Sequence, residues 1–399
     1  MRLLSFSIEN YKSFKEKQEI TFLENEKNVT AFFGPNSSGK SNLFSALQFY
    51  CEYILESTNF HRKKVLHGEN FRFTKSCAQK DSVLSAEFKN DTYQYKYSFS
   101  ITREGEVSEE HLSRKKLGDV SYKTIFSRGS IINNRYGEFG FPSKMLKETR
   151  SDSLILTRAY AANNKIAKDV FSCIESITFF SGAGSAIKNF GHTAEIASDD
   201  PQKKNDILRF LKLADLYIQD FTVEKNNQLN EIDSSLFSAD MINLLRRSTY
   251  KITTTHSVRD EAGNVISLTN MSMRENESAG TNQIFEYAGW ILEALKEGKV
   301  LYVDELGINL HPKECSFIVN LFDKTYGENT KNGQLIINTH ETGLIDILGK
   351  DNCYFLGKDL FEATLVEKLS GIRTEEKNLS KKYNAGLYGA VPQIGLRKK

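Results

Sequence analysis

Residues 34–41 read Gly-Pro-Asn-Ser-Ser-Gly-Lys-Ser, which fits the pattern GxxxxGK[ST]. An apolar stretch, Val29–Phe33, runs into it. A helical pattern leaves it, with Leu43, Phe44, Leu47, Cys51, Ile54 and Leu55 recurring on one face. That setting tells what chemistry the loop can do. Gly34 and Gly39 allow the backbone to wrap closely, so that N–H groups of the loop formed by Pro35, Asn36, Ser37 and Ser38 converge on phosphate. A helix beginning near Ser41 adds its partial positive charge. Lys40 is expected to reach the β- and γ-phosphates of ATP, and the Ser41 hydroxyl to bind Mg²⁺.

Three further segments carry complementary groups. Val300-Leu301-Tyr302-Val303 ends in Asp304-Glu305, placing two acids at the end of an apolar strand. Asp304 is expected in the Mg²⁺ shell, and Glu305 is expected to polarise the attacking water. Leu335-Ile336-Ile337-Asn338-Thr339-His340 is the next apolar strand, and His340 stands where a side chain could touch the terminal phosphate. Glu277-Ser278-Ala279-Gly280-Thr281 precedes a helix, and its small residues leave N–H groups at Ser278 and Gly280 that could receive a phosphate.

The elements that must position these groups are legible in outline. The 399 residues allow two or three domains. Leu4, Phe6 and Ile8 alternate with polar residues as a strand, Glu19–Leu23 follows, and residues 82–103 read as a hairpin turning at Lys89–Thr92. The continuous apolar runs at 300–303 and 335–337 predict buried parallel strands, and hence an α/β fold. Residues 1–108 are expected to form an N-terminal lobe, 109–264 an inserted, largely helical subdomain, and 265–399 a C-terminal lobe.

Composition narrows the rest. Lys+Arg 53 against Asp+Glu 51 gives a net +2, which excludes a highly charged disordered chain but decides nothing about DNA. No apolar run approaches the roughly 18–20 residues of a membrane span, so no membrane partner is expected. Five scattered cysteines without a CxxC favour a reducing cytoplasm over a disulfide scaffold or a zinc site. Short basic groups occur at Arg62-Lys63-Lys64, Arg114-Lys115-Lys116, Arg246-Arg247 and Arg397-Lys398-Lys399. They read as solvated surface charge, with acidic residues beside most of them.

Taken in this order, the four segments resemble the ABC-type ATPases of the structural-maintenance and recombination-repair group. The resemblance is closest to the compact bacterial proteins of the overcoming-lysogenization-defect and abortive-infection type. Asn10-Tyr11-Lys12-Ser13-Phe14 is similar to the opening motif of that group, Glu277–Thr281 to its signature loop, Leu310-His311-Pro312 to the turn after its acidic strand, and His340 to its switch histidine. A glutamine-bearing Q-loop is not evident.

The resemblance implies a P-loop NTPase head with a mixed sheet and an N-terminal antiparallel part. It also implies a homodimer or higher homo-oligomer that buries two ATP molecules head to tail, with Ser278 and Gly280 acting in trans. Fifty-nine residues follow His340, too few for the nuclease domain fused to some relatives. The effector is therefore expected to be a separate protein, a nuclease, acting in anti-phage defence. Two alternatives stay open: a repair ATPase that clamps duplex DNA, and a scaffold that holds nucleotide without turnover.

Overall fold

The computed structural model describes residues 1–58, 69–129, 139–140, 148–182, 186–225, 250–374 and 377–390, without the side chains of 186–189. Alternating apolar residues build the first strands, β1 (Arg2–Glu9) and β2 (Gln18–Thr21). The uniformly buried β3 (Val29–Phe33) follows and leads through the phosphate loop into α1 (Lys40–Glu56). The expected hairpin is β4 (Ser82–Lys89) and β5 (Tyr93–Ile101), and β6 (Val107–Lys116) and β7 (Lys123–Arg128) continue from it. These strands form an antiparallel sheet in the order β2-β1-β4-β5-β6-β7.

Helices α2 (Ile155–Ala161) and α3 (Lys165–Glu175) lead into β8 (Ile177–Ser181). Next come α4 (Ala186–Asp199), α5 (Pro201–Leu213), β9 (Asp220–Lys225), β10 (Tyr250–Arg259) and β11 (Val265–Ser272). Strands β11, β10 and β9 make a small antiparallel sheet. After the one-turn α6 (Met273–Asn276), the chain runs through α7 (Ala279–Glu297), β12 (Val300–Leu306), α8 (Pro312–Phe322), β13 (Gln334–Thr339), α9 (Leu344–Leu348), β14 (Cys353–Lys358), β15 (Thr364–Lys368) and α10 (Leu379–Asn384). The central sheet has the order β15-β14-β3-β13-β12-β8. Its neighbours are parallel except for the β14–β15 pair.

Residues 109–264 hold α2 to α5, and they also supply most of β6, all of β7 and the edge strand β8. The segment therefore adds strands to both large sheets and does not stand apart as one helical unit. The reason it read otherwise lies in β6, whose inward positions include Glu110. This carboxylate is fully buried, yet it accepts from Tyr97 Oη (2.8 Å), Ile155 N (2.8 Å) and Leu156 N (3.0 Å). Burial raises its pKa above the ordinary glutamate value, and the first N–H groups of α2 oppose that shift. A strand with a buried acid does not read as amphipathic. Of the basic groups, Arg114 packs over the Tyr93 ring and Lys115 over the Tyr122 ring. The groups at 62–64, 246–247 and 397–399 lie outside the described residues.

Two layers of core explain the apolar strands. One face of the central sheet, with Phe32, Tyr302, Ile336 and Tyr354, packs on α1, whose other side meets the antiparallel sheet. The opposite face, with Phe33, Leu301, Val303, Leu335 and Ile337, packs on α7, α8 and the small sheet. Helices α1 and α7 thus lie on opposite faces of one sheet. Because β3, β12 and β13 are parallel neighbours, their carboxyl ends open on the same edge, where ligands of such sheets bind. No helix among the described residues is long and apolar enough to cross a membrane.

Candidate nucleotide site

The loop after β3 is shaped by residues that cannot be enlarged. A Cβ on Gly34 would lie 2.5 Å from the Leu356 carbonyl oxygen. Gly39 is left-handed at φ +110°, and a Cβ there would collide with Thr364 Oγ1. That threonine is itself fixed. It meets Ser13 Oγ at 2.8 Å and donates to the Ser38 carbonyl at 2.9 Å, while Asn42 Nδ2 donates to Ser13 at 2.7 Å. The opening turn at Asn10–Phe14 and strand β15 therefore brace the loop from behind.

Pro35 is half-buried, Asn36 and Ser37 are exposed at the rim, and Ser37 is left-handed. The Ser38 hydroxyl is buried without a hydrogen-bond partner. Lys40 is buried, and its ammonium donates to the carbonyls of Gly34 (2.7 Å) and Pro35 (3.0 Å). Burial pulls its pKa below the ordinary lysine value, and the nearby Asp304 and Glu305 carboxylates oppose that.

The acidic end of β12 is bent by a bulge. Val303 pairs with Ile337 and Leu306 with Thr339, so three steps on β12 answer two on β13. Glu305 takes the strain, at φ +65°, a region that costs a non-glycine residue about 1–3 kcal/mol. Gly182, just after β8, donates its N–H to the Asp304 carbonyl at 3.1 Å. Asp304 is buried and Glu305 half-buried.

Asp304 Oδ1 accepts from Asn338 Nδ2 at 2.6 Å and lies 3.4 Å from Ser41 Oγ. Thr339 Oγ1 donates to the Leu306 carbonyl at 2.6 Å, which pins the two strand ends together. His340 follows, exposed. Partial burial and the Lys40 charge hold its pKa below the usual histidine value, which favours the neutral ring.

The structure thus brings Gly34–Ser41, Asp304, Glu305 and His340 to one sheet edge. Ser278 and Gly280 are placed differently, at the start of α7 on the other face. Ser278 caps that helix by accepting from Thr281 N at 3.1 Å. The preceding Glu277 is held by Thr254 Oγ1 and His256 Nε2, both at 2.6 Å. Gly280 lies against the Asn309 carbonyl, 3.1 Å from where its Cβ would be. Ser278 itself is exposed. His311 is a helix cap, with its Nδ1 accepting from Lys313 N and Glu314 closing the capping box.

Sequence reasoning missed Asn338, Ser13 and Thr364 as members of the site. The only signal for Asn338 was an amide near the end of an otherwise apolar strand.

These groups suit a triphosphate and Mg²⁺. The glycine cradle, the unpartnered Ser38 hydroxyl and the buried ammonium match phosphate oxygens. Ser41 Oγ and the Asp304 carboxylate are hard oxygen donors of the kind Mg²⁺ takes.

The chain is similar to several known proteins. "Structural maintenance of chromosomes protein 1" of Schizosaccharomyces pombe is 34% identical over 112 residues, 26% of this chain and 9% of that protein. "Retron Vc95 probable ATPase" of Vibrio cholerae serotype O1 biovar El Tor is 20% identical over 385 residues, 85% of this chain and 70% of that protein. The solved SMC head domain from Thermotoga maritima is 15% identical, with a TM-score of 0.45, over 92% of this chain and 99% of that one. A family described as "AAA domain, putative AbiEii toxin, Type IV TA system" matches residues 29–346. That span runs from β3 through the phosphate loop, α7, β12 and β13, and the chain belongs to this family as an α/β P-loop ATPase.

Proposed function

We propose that this chain is an ATP-hydrolysing switch that closes head to tail with a second copy around two nucleotides and controls a separately encoded effector in anti-phage defence. The observation that carries the dimer is the placement of α1 and α7 on opposite faces of the central sheet, with Ser278 exposed at the start of α7. A phosphate held by one copy's loop can then meet the free N–H groups at Ser278 and Gly280 of another copy. The defence role is supported by the retron ATPase relative and by the toxin named in the family description. The effector, in this reading, is a nuclease on another chain.

In this mechanism the loop N–H groups from Asn36 to Gly39, Pro35 having none, and the Lys40 ammonium hold the phosphates. Ser41 and Asp304 would hold Mg²⁺, which when bound would supply positive charge to the phosphate oxygens. Glu305 orients and deprotonates the attacking water. His340, neutral, donates or accepts a hydrogen bond at the terminal phosphate. Loss of that phosphate removes the bridge between the copies and opens the dimer.

Hydrolysis that needs two chains is second order at low concentration. The rate per chain is expected to rise with protein concentration and then level off, measured as phosphate release in ATP and Mg²⁺. A rate per chain that stays constant over the dilution series removes the dimer from the mechanism.

A DNA clamp is the second reading, favoured by the 34% identity to the chromosome-maintenance protein. Binding of duplex DNA by the purified chain alone, falling steeply with salt, would select it.

A further inference from the structure

We infer that Asn338 is a positioning residue for the Mg²⁺ site, setting the carboxylate of Asp304 and tying it to the start of α1. The inference rests on the reading of Ser41 and Asp304 as the metal's ligands.

Asn338 is fully buried at the penultimate position of β13. Its Nδ2 donates to two acceptors, Asp304 Oδ1 at 2.6 Å and the Lys40 carbonyl at 3.0 Å. Its Oδ1 accepts from Tyr302 Oη at 3.0 Å. The partners fix which end of the amide is which. A carboxylate and a carbonyl can only accept, and the Tyr302 hydroxyl is left to donate. One amide therefore joins β13, the acidic end of β12 and the first residue of α1.

The position needs these properties together. Asp304 lies within the bulge and has Ser41 Oγ 3.4 Å from its Oδ1, the one described side-chain hydroxyl bonded to it. Without the amide, the hydroxyl of Ser41 at 3.4 Å would be the side-chain donor left to orient it. Leucine would fill the space but leave Asp304 Oδ1 and the Lys40 carbonyl buried without that donor. Lysine would supply a donor but add a positive charge beside a cation site. A neutral amide orients the ligand and leaves its charge for the metal. Partners of this kind typically change metal affinity by about 10–100-fold when lost.

The test uses Mn²⁺ as the probe, with the full-length protein and ADP, and free Mn²⁺ counted by electron paramagnetic resonance. This readout needs no turnover. N338L is expected to weaken Mn²⁺ binding by about 10–100-fold, while ADP binding measured in EDTA stays at the wild-type value. Y302F, which keeps the ring packed and removes only the hydroxyl that orients the amide, is expected to weaken Mn²⁺ binding in the same direction by less. Wild-type Mn²⁺ affinity in N338L overturns the inference. So does an equal loss of metal-free ADP binding, since a residue that merely supports the fold would lower both. If N338L does not fold, an unchanged Y302F overturns it. D304A separates the two layers of the argument. If D304A leaves Mn²⁺ binding intact, the ligand reading itself fails; if D304A abolishes it and N338L does not weaken it, only the role of Asn338 fails.

Discussion

Glu305→Gln is expected to cut steady-state ATP hydrolysis by about 10²–10⁴-fold, the range in which a positioned general base contributes, and to leave ATP bound. The amide has nearly the shape of the carboxylate, so the bulge at the end of β12 is kept and the left-handed backbone at 305 is asked of a residue of the same branching. What is lost is the ability to take a proton from water. The phosphates are still held by the loop and by Lys40, so binding survives while cleavage does not. If cleavage is what opens the dimer, the variant accumulates as a closed pair in ATP. Phosphate release and retained nucleotide, measured on the same sample, check both halves. Turnover at the wild-type rate in E305Q would remove Glu305 from the chemistry.

Lys40→Ala acts one step earlier. In the structure the ammonium rests on the carbonyls of Gly34 and Pro35, at the mouth of the loop, where it can turn to phosphate oxygens. A hydrogen bond to a charged group contributes about 1.5–3 kcal/mol, so removing the cation is expected to weaken ATP binding by roughly tenfold to a hundredfold or more. Folding should suffer little. The substitution removes a buried cation whose desolvation opposes burial, which offsets the loss of its bonds to the carbonyls of the buried Gly34 and the half-buried Pro35. Calorimetric titration with ATP and a thermal melt of the same protein separate the two effects. Wild-type affinity in K40A would contradict the account of the loop.

Much of this site could be read without coordinates because its chemistry is local. The phosphate loop is eight consecutive residues, and its flanking strand and helix announce themselves by periodicity. The acidic pair and the histidine each end an apolar run, so their shared sheet edge follows once the strands are parallel. What stayed hidden is long-range. Ser13 and Thr364 stand 351 residues apart and meet only when β15 folds beside the opening turn. Asn338 is one amide at the end of an apolar run, and its role appears only when Tyr302, Asp304 and Lys40 surround it. The bulge that places Glu305 depends on pairing between β12 and β13, which no single strand encodes. Strand β6 was obscured by a buried Glu110 whose partners come from β5 and α2.

In the proposed switch each nucleotide site is shared between two chains, one giving Lys40 and the other Ser278. Mixing K40A with S278R tests it most directly. Each variant alone is expected to be inactive, since every site in its dimers is damaged. In an equimolar mixture half the dimers pair one of each, and each of those has one intact site, so activity should return to about a quarter of the wild-type rate per chain. A mixture that only reproduces the average of the two separate proteins would contradict the shared site.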